Sequence, residues 1–202
     1  LGHHIDDLIE NFFLRMFRSS GLRGLTSLDI NSKFSEKNLN RPLLYQKKED
    51  LVFVAKNVFG YYVKDPSNNH DKFQRIKIRK FLQGLKEIGL EKEKIYKSIK
   101  NLKSPSKIID HYVVENINKN TFLNKKEDRL FLNKTFFKKP FEVVFRSLSE
   151  LIKLIGKKDH FVRGKKMTQL INEIKNNSYF KATLGGCIIE KVNLTVIISK
   201  EW

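Results

Sequence analysis

Apolar residues recur at steps of three and four along most of this chain, and this spacing constrains the fold more than any other feature. It predicts amphipathic helices over about 5–18, 48–58, 71–88, 91–102, 105–118, 141–155 and 163–175. The Phe-rich stripe of the first helix is predicted to be core, not a base-stacking surface. A short strand is predicted at 61–63 and another at 130–132. The β-rich runs 187–189 and 195–198 predict a terminal hairpin. We therefore expect an α/β structure whose later part is mostly helical and ends in a β-hairpin.

The charge of the chain favours a polyanionic partner. Lys and Arg total 40 against 22 for Asp and Glu, a formal net charge of +18. Each phosphate that a basic side chain neutralises releases counterions, so this excess favours nucleic-acid contact. A codon bias toward AT-rich triplets, which also encode Lys, Asn, Ile and Phe, is the alternative source of the excess. No apolar run approaches the roughly 20 residues that cross a bilayer. The single cysteine, Cys187, excludes an intrachain disulfide and fits the cytoplasm.

The candidate chemical centre is the start of the first helix, where a pair of histidines precedes acidic residues. At about 100° per residue, His3, Asp7 and Glu10 fall on one helix face. Such carboxylates beside an imidazole can bind a cationic amine, hold magnesium or relay a proton. Acidic residues in a first turn also simply stabilise the helix dipole, by about 0.3–1 kcal/mol each. The spacing alone leaves these roles open.

The order of short motifs along the chain resembles the tRNA(Ile)-lysidine synthases, a family of PP-loop ATP pyrophosphatases. The blocks that carry the resemblance are GHHIDDLIEN (2–11), RMFRSSGLRGL (15–25), RPLL (41–44), DPSN (65–68), RIKIR (75–79) and TLGGC (183–187). Leu8, Asn11, Ser19 and Ile76 stand where the family has Gln, Thr, Gly and Asn. The family's Ser-Gly-Gly-x-Asp-Ser loop, which cradles ATP phosphates, would lie upstream of Leu1. The resemblance therefore implies a fragment, inactive by itself, that lacks this loop.

The resemblance also implies a fold and an activity. Residues 1–82 would be the later part of the PP-loop nucleotide-binding domain, and 83–202 a helical tRNA-handling domain with its terminal hairpin. Enzymes of this family use ATP to adenylate the C2 oxygen of the wobble cytidine in an isoleucine tRNA, and the ε-amine of lysine then displaces AMP. The expected class is an ATP-dependent carbon–nitrogen ligase that uses ATP with Mg²⁺. Its partners would be the anticodon region of the isoleucine tRNA and free lysine, with no membrane and with a homodimer left open.

Roles for individual residues follow from the same resemblance. His3, Asp7 and Glu10 would be catalytic and surround the lysine substrate, whose ammonium the carboxylates attract and whose proton they accept. The residues implied on the substrate and nucleotide side are His4, Asp6, Arg18, Gly21, Gly24 and Arg41. Those implied to contact tRNA or ATP phosphates are Asp65, Asn68, Arg75 and Arg79. No residue is assigned to a metal.

Three other interpretations stay open. A tRNA cytidine thiolase also begins a helix with His-His-x-Asp-Asp, but such enzymes use clustered cysteines and this chain has one. A non-catalytic RNA-binding module would account for the charge alone. A metal-dependent phosphohydrolase would need further ligands, and His70, His111 and His160 are scattered without suggestive partners.

Overall fold

A computed structural model describes residues 1–34, 37–63, 74–124 and 126–201. The chain divides into two compact units, Leu1–Ser106 and Lys107–Trp202. The domain boundary between 82 and 83 that the resemblance implies stays a prediction. Asp65 and Asn68 of the DPSN block, together with His70, lie outside the described residues.

The first unit is built mainly from helices, with one short antiparallel hairpin. Its elements are α1 (Ile5–Met16), α2 (Leu22–Leu25), β1 (Asn31–Phe34), β2 (Lys37–Asn40), α3 (Lys48–Phe59), α4 (Gln74–Glu87) and the first part of α5 (Lys92–Asn120). The β1–β2 hairpin pairs Asn31 with Asn40. It was not predicted, because the segment is polar and lacks apolar alternation. The strand predicted at 61–63 is wrong, since these residues form no strand.

The apolar stripe of α1 forms the centre of the first unit. Its members Ile5, Leu8, Ile9 and Phe13 are buried in one cluster with Leu44, Ile78, Ile95 and Ile99 from the RPLL segment, α4 and α5. The prediction of a core stripe is confirmed for these α1 residues. It is wrong for Met16, which is 43% exposed, and for Phe17, just past the end of α1, which is 62% exposed.

The helix α5 runs through Pro105 without a break. The sequence predicts two helices here, since proline removes a backbone donor and cannot bond the carbonyl four residues earlier. Pro105 and Asn101, which holds that carbonyl, are both exposed. Water can therefore replace the lost hydrogen bond, and the helix continues.

The second unit packs helices on one antiparallel sheet. After α5 come β3 (Thr121–Asn124), β4 (Arg129–Leu132), a 3₁₀ helix (Lys134–Lys138), α6 (Phe141–Ile155), α7 (Gly164–Asn176), β5 (Tyr179–Leu184), β6 (Cys187–Val192) and β7 (Thr195–Lys200). The strand order is β3-β4-β7-β6-β5. The predicted terminal hairpin, β6–β7, and the strand at 130–132 are confirmed. The hairpin lies inside a five-stranded sheet, since β5 extends it on one side and β4 and then β3 extend it on the other. The core includes Leu148, Ile152, Ile171, Ile189 and Ile198.

The TLGGC block makes the tight turn between β5 and β6. Gly185 and Gly186 have φ values of 64° and 78°. Successive left-handed residues are typical of a two-residue hairpin turn, and glycine adopts them at least cost. Cys187 then begins β6 fully buried, and its Sγ donates to the carbonyl oxygen of Ile152 at 3.3 Å. Burial raises the pKa of this thiol to about 11.

The described part of the chain contains no helix long and apolar enough to span a membrane.

Candidate functional site

The first helix begins at a local hydrogen-bond motif formed by two predicted site residues. His4 is the N-cap residue with extended backbone, φ −127° and ψ −174°. Its backbone N–H donates to Asp7 Oδ2 at 2.9 Å, and its ring Nε2 lies 3.5 Å from the same oxygen. A carboxylate at the third helical position that accepts from the N-cap amide is one half of a capping box. Asp7 therefore fixes the start of α1, and its place beside a lysine substrate stays a prediction.

Glu10 lies one turn further along α1 and is only 3% exposed. Arg79 of α4 reaches it through two contacts: Nε to Oε1 at 2.5 Å and Nη2 to Oε2 at 3.3 Å. Hydrogen bonding to Glu10 raises the pKa of Arg79. The resemblance assigns these residues to different ligands, lysine and phosphate. The structure brings them together as an ion pair that joins two helices.

Asp6 faces a lysine that sequence reasoning did not identify. The ammonium of Lys92, in the first turn of α5, lies 2.9 Å from Oδ1 and 3.0 Å from Oδ2 of Asp6. The same ammonium lies 3.9 Å from Glu49 Oε1. Lys47 nearby forms a separate pair with Glu93 at 2.9 Å. No motif marks Lys92, because the contact joins positions 86 residues apart.

These ion pairs line a cleft of about 670 Å³ in the first unit. Its acidic lining residues are Asp6, Glu10, Glu49, Asp50, Glu91 and Glu93, and its lysines and arginine are Lys47, Lys48, Arg79 and Lys92. The carboxylates outnumber these cations, against the +18 charge of the whole chain. Such a lining favours a cationic ligand, and the Lys92 ammonium shows how an alkylammonium fits there.

His3 lies just before α1, where the charges of Arg41 and Arg75 act on it. Burial lowers the pKa of His3; Asp7 acts in the opposite direction, and the charges of Arg41 and Arg75 lower it further. Arg41 is 8% exposed, and its Nη1 donates to the Asp29 carbonyl oxygen at 3.0 Å and to a serine hydroxyl at 2.7 Å. Among the described residues, Arg41 Nε and His3 Nδ1 are buried without hydrogen-bond partners. These nitrogens, with the exposed Arg75, suit an anionic or hydrogen-bond-accepting group.

A second lysine fixes the backbone that holds Arg41. Lys103 Nζ donates to the Leu28 carbonyl oxygen and to Asp29 Oδ1, both at 3.1 Å, and lies 3.2 Å from Tyr45 Oη. Burial raises the pKa of Asp29, but hydrogen bonds from the Ile30 amide and Lys103 outweigh it, so the pKa is lowered overall. Burial and the neighbouring Asp29 raise the pKa of Tyr45 to about 12. Sequence reasoning missed this network, since none of its members belongs to a motif.

The glycine-rich loop lies at the opposite end of α1. Arg18 Nη2 donates to Gln74 Oε1 at 3.1 Å, and Ser19 has a φ of 53°. Gly21 caps the short helix α2, with open space where a Cβ would point. At Gly24 a Cβ would lie 2.7 Å from the Cβ of Ser20, so this glycine permits close packing of the loop.

The structure thus separates the predicted nucleotide residues into two groups. His4, Asp6 and Arg41 lie near the start of α1, while Arg18, Gly21 and Gly24 follow its end; the helix between them has 12 residues and is about 18 Å long. A shared role as nucleotide ligands stays a prediction for both groups. Within the described ranges, no three His, Cys, Asp or Glu side chains are grouped as metal ligands.

Comparison with known proteins matches residues 1–85 to the PP-loop domain. A protein named tRNA(Ile)-lysidine synthase from Orientia tsutsugamushi (strain Boryong) is 31% identical over 215 residues, which cover 100% of this chain and 47% of the relative. Proteins of the same name from Wolbachia pipientis wMel and Rickettsia typhi are 28% and 31% identical, over 100% and 99% of this chain and 47% and 46% of their own lengths. The chain spans about half the length of these curated relatives. The resemblance inferred from the sequence blocks is confirmed.

Proposed function

Because residues 1–85 match the PP-loop domain and the whole chain is related to the tRNA(Ile)-lysidine synthases, we propose that it serves the ATP-dependent ligation of lysine to the wobble cytidine of an isoleucine tRNA. In this reaction the C2 oxygen of cytidine attacks the α-phosphorus of ATP and pyrophosphate leaves. The ε-amine of lysine then forms a bond to C2, AMP leaves with the oxygen, and the amine loses a proton. The proposed setting is the cytoplasm, where tRNA, ATP and lysine are all present.

The observation that carries the proposal is the acidic cleft at the start of α1. Its lining already receives one alkylammonium, that of Lys92, at Asp6. Free lysine offers the same group, so we place its side chain in this cleft. Asp6 attracts the ammonium and can take up its proton when the amine attacks. This assignment makes Asp6 more central to lysine binding than its sequence motif implies.

Glu10 has a positioning role in this scheme. Both of its oxygens are engaged by Arg79, which reaches the same cleft. A carboxylate held in this way is not available to bind a second cation with full strength. We propose that Glu10 orients Arg79 for contact with a phosphate of ATP or of tRNA.

The residues beside His3 fit an ATP phosphate. Arg41 Nε and His3 Nδ1 are buried and without partners among the described residues, and Arg75 adds an exposed positive charge close by. ATP supplies the adenylyl group of the reaction and, in the proposed scheme, carries Mg²⁺ with it. His3, Arg41 and Arg75 would bind and orient its phosphates through charge-assisted hydrogen bonds.

The test is lysine incorporation into isoleucine tRNA with ATP. The assay compares this chain with a chain extended by the part of the Rickettsia typhi relative that the match does not span. In each of the two chains that incorporates lysine, Asp6→Asn and Glu10→Gln should abolish or strongly reduce incorporation. Glu127→Gln, which changes an exposed carboxylate of the second unit, should leave it unchanged. No incorporation by either parent chain, with salt-sensitive tRNA binding retained, would instead favour the RNA-binding module.

A further inference from the structure

An exposed aromatic pair lies where the end of α1 meets α4. The rings of Phe17 and Phe81 have centroids 5.8 Å apart and cross at 66°. Phe17 is 62% exposed and Phe81 is 43% exposed. Phe81 also contacts Phe13, a buried core residue, with centroids 5.7 Å apart. Phe81 is therefore anchored to the core, and it supports Phe17 in a position open to solvent.

The surroundings of this pair carry only positive charge in the sequence. Residues 11–28 and 74–86 contain no Asp or Glu. Arg18 is next to Phe17 and its guanidinium bonds Gln74 at the start of α4. Lys77 follows Gln74 by three positions and precedes Phe81 by four, so all three share one face of α4. Arg18 and Lys77 are both exposed.

Exposed aromatic rings with flanking cations are the combination that binds single-stranded nucleic acid. Each base can stack on an aromatic side chain, while the cations contact the backbone phosphates. An apolar protein partner would not require a surface free of acidic residues. The cleft near the other end of α1 has a different charge character, since its carboxylates outnumber its cations.

We propose that Phe17, Phe81, Arg18 and Lys77 form a stacking platform for an unpaired RNA base and its neighbouring phosphates. Phe17 stacks with the base, Phe81 holds Phe17 in place, and Arg18 and Lys77 contact the phosphates. The choice of RNA rests on the proposed function, and the platform adds to it a place where a single-stranded segment of the tRNA lies on the surface.

The experiment measures RNA binding by the full chain with fluorescence anisotropy. The probes are a labelled 12-nucleotide oligouridylate and a 12-base-pair RNA duplex, each titrated over a series of salt concentrations. Phe17→Ala should weaken binding of the oligouridylate about 5- to 150-fold, the range of one lost base stack, with a much smaller effect on the duplex. Phe17→Tyr should retain affinity, whereas Phe17→Leu, which keeps apolar area but no ring, should not.

Two kinds of control separate stacking from charge and from folding. Phe122→Ala removes an aromatic ring of matched exposure, 68%, from β3 of the second unit, and should leave affinity unchanged. Arg18→Ala and Lys77→Ala should each reduce the salt slope of binding by about 0.7, the value for one phosphate contact on a single strand. Phe17→Ala should not change that slope. Unfolding curves of each variant check that the fold is retained.

Equal affinity of the Phe17→Ala and Phe122→Ala variants for the oligouridylate would overturn the proposal. So would equal losses on oligouridylate and duplex, or a dimer of the parent chain that Phe17→Ala dissociates while RNA affinity is unchanged. The last result would identify a second copy as the occupant. Oligouridylate contains no cytidine, so this assay does not depend on lysine transfer. The stacking proposal can therefore be correct if the ligase proposal fails, and the ligase proposal can be correct if the stacking proposal fails.

Discussion

The Arg79 guanidinium and the Glu10 carboxylate form a two-point ion pair across 69 positions of the chain, with Nε–Oε1 at 2.5 Å and Nη2–Oε2 at 3.3 Å. Glu10 is almost completely buried, whereas Arg79 reaches solvent at the cleft. The pair therefore ties α4 to the centre of α1 and at the same time presents an arginine to the site. The two residues belong to different sequence motifs, and the fold brings these motifs into contact.

Removing Arg79 should destabilise the first unit by leaving the Glu10 carboxylate buried and unpaired. We expect Arg79→Ala to lower the free energy of unfolding by about 2–3 kcal/mol, somewhat less than for a fully buried pair because Arg79 is partly exposed. Glu10→Met with Arg79→Met should recover much of the loss, since neither charge then remains. Urea denaturation measures both. The exposed Arg75→Ala on the same helix is the control, and an equal cost there would show that the ion pair is not the cause.

The imidazole of His3 should titrate below its ordinary pKa of 6.5. Burial and the charges of Arg41 and Arg75 disfavour its protonated form in the folded chain. On acidification the unfolded chain therefore binds the proton first. The contribution of His3 to stability is fully present above pH 6.5 and is lost as the pH falls through the lowered pKa.

Histidine resonances followed by NMR over a pH titration give this pKa directly, with His3→Asn assigning the signal. The same variant should show a weaker fall in unfolding free energy between neutral and mildly acidic pH than the parent chain. A His3 resonance that titrates at or above 6.5, or a variant with an unchanged pH dependence, would contradict the prediction.

Helix periodicity and motif order predict much of this molecule, because both are local properties of the sequence. The buried stripe of α1 follows from Ile5, Leu8 and Ile9 at helical spacing, and the start of α1 follows from its acidic first turn. Pairings between distant segments leave no such local trace. Lys92 with Asp6 and Lys103 with Asp29 were therefore missed, and so was the polar β1–β2 hairpin.

Sequence reasoning also places residues on elements without showing which groups those elements join. Periodicity correctly places Glu10 and Arg79 on helices, but their mutual contact requires the packing of α1 against α4. Likewise Arg18 and Arg41 share a predicted ligand, yet they flank opposite ends of one helix. The exposure of Phe17, just past the end of α1, depends on tertiary packing, which periodicity does not encode.

Ser19→Gly should stabilise the chain. Ser19 has a φ of 53°, a left-handed conformation that costs a non-glycine residue about 1–2 kcal/mol. Glycine avoids that cost but gives the unfolded chain more freedom, so we expect a net gain of about 0.5–1 kcal/mol in unfolding free energy. Thermal or urea unfolding measures it. Ser20→Gly, at the next position and without a positive φ, should destabilise instead, and stabilisation by both changes would contradict this explanation.

Gly24→Ala should disturb the loop after α1 through one specific contact. The added Cβ would lie 2.7 Å from the Cβ of Ser20, closer than two carbons approach. We expect a loss of about 1–3 kcal/mol, as for overpacking elsewhere. Ser20→Gly in the same chain removes the opposing Cβ and should restore much of it. Gly21→Ala meets open space and is the matched control. An equal cost of Gly24→Ala in the parent chain and in the Ser20→Gly chain would show that the contact with Ser20 is not responsible.

Lys92→Met should strengthen binding of free lysine to the acidic cleft. In the parent chain the Lys92 ammonium lies between Asp6 and Glu49, so a lysine ligand must displace it. An ion pair that reaches solvent contributes about 0.2–1 kcal/mol, so its loss should raise lysine affinity about 1.5- to 5-fold. Calorimetric titration measures the affinity. Norleucine, which lacks the ε-ammonium, should bind neither protein measurably.

Lys47→Met is the matched control, because Lys47 lines the same cleft but pairs with Glu93 and not with Asp6. Both variants remove one positive charge, so an equal gain in lysine affinity would mean that only the overall charge of the cleft matters. A larger gain for Lys92→Met means that the ligand takes the place of the Lys92 ammonium at Asp6. Loss of lysine binding in Lys92→Met would show the reverse, that Lys92 holds Asp6 in its binding position. If the ligand and Lys92 compete for Asp6, Lys92 directly raises the concentration of free lysine needed to occupy the site.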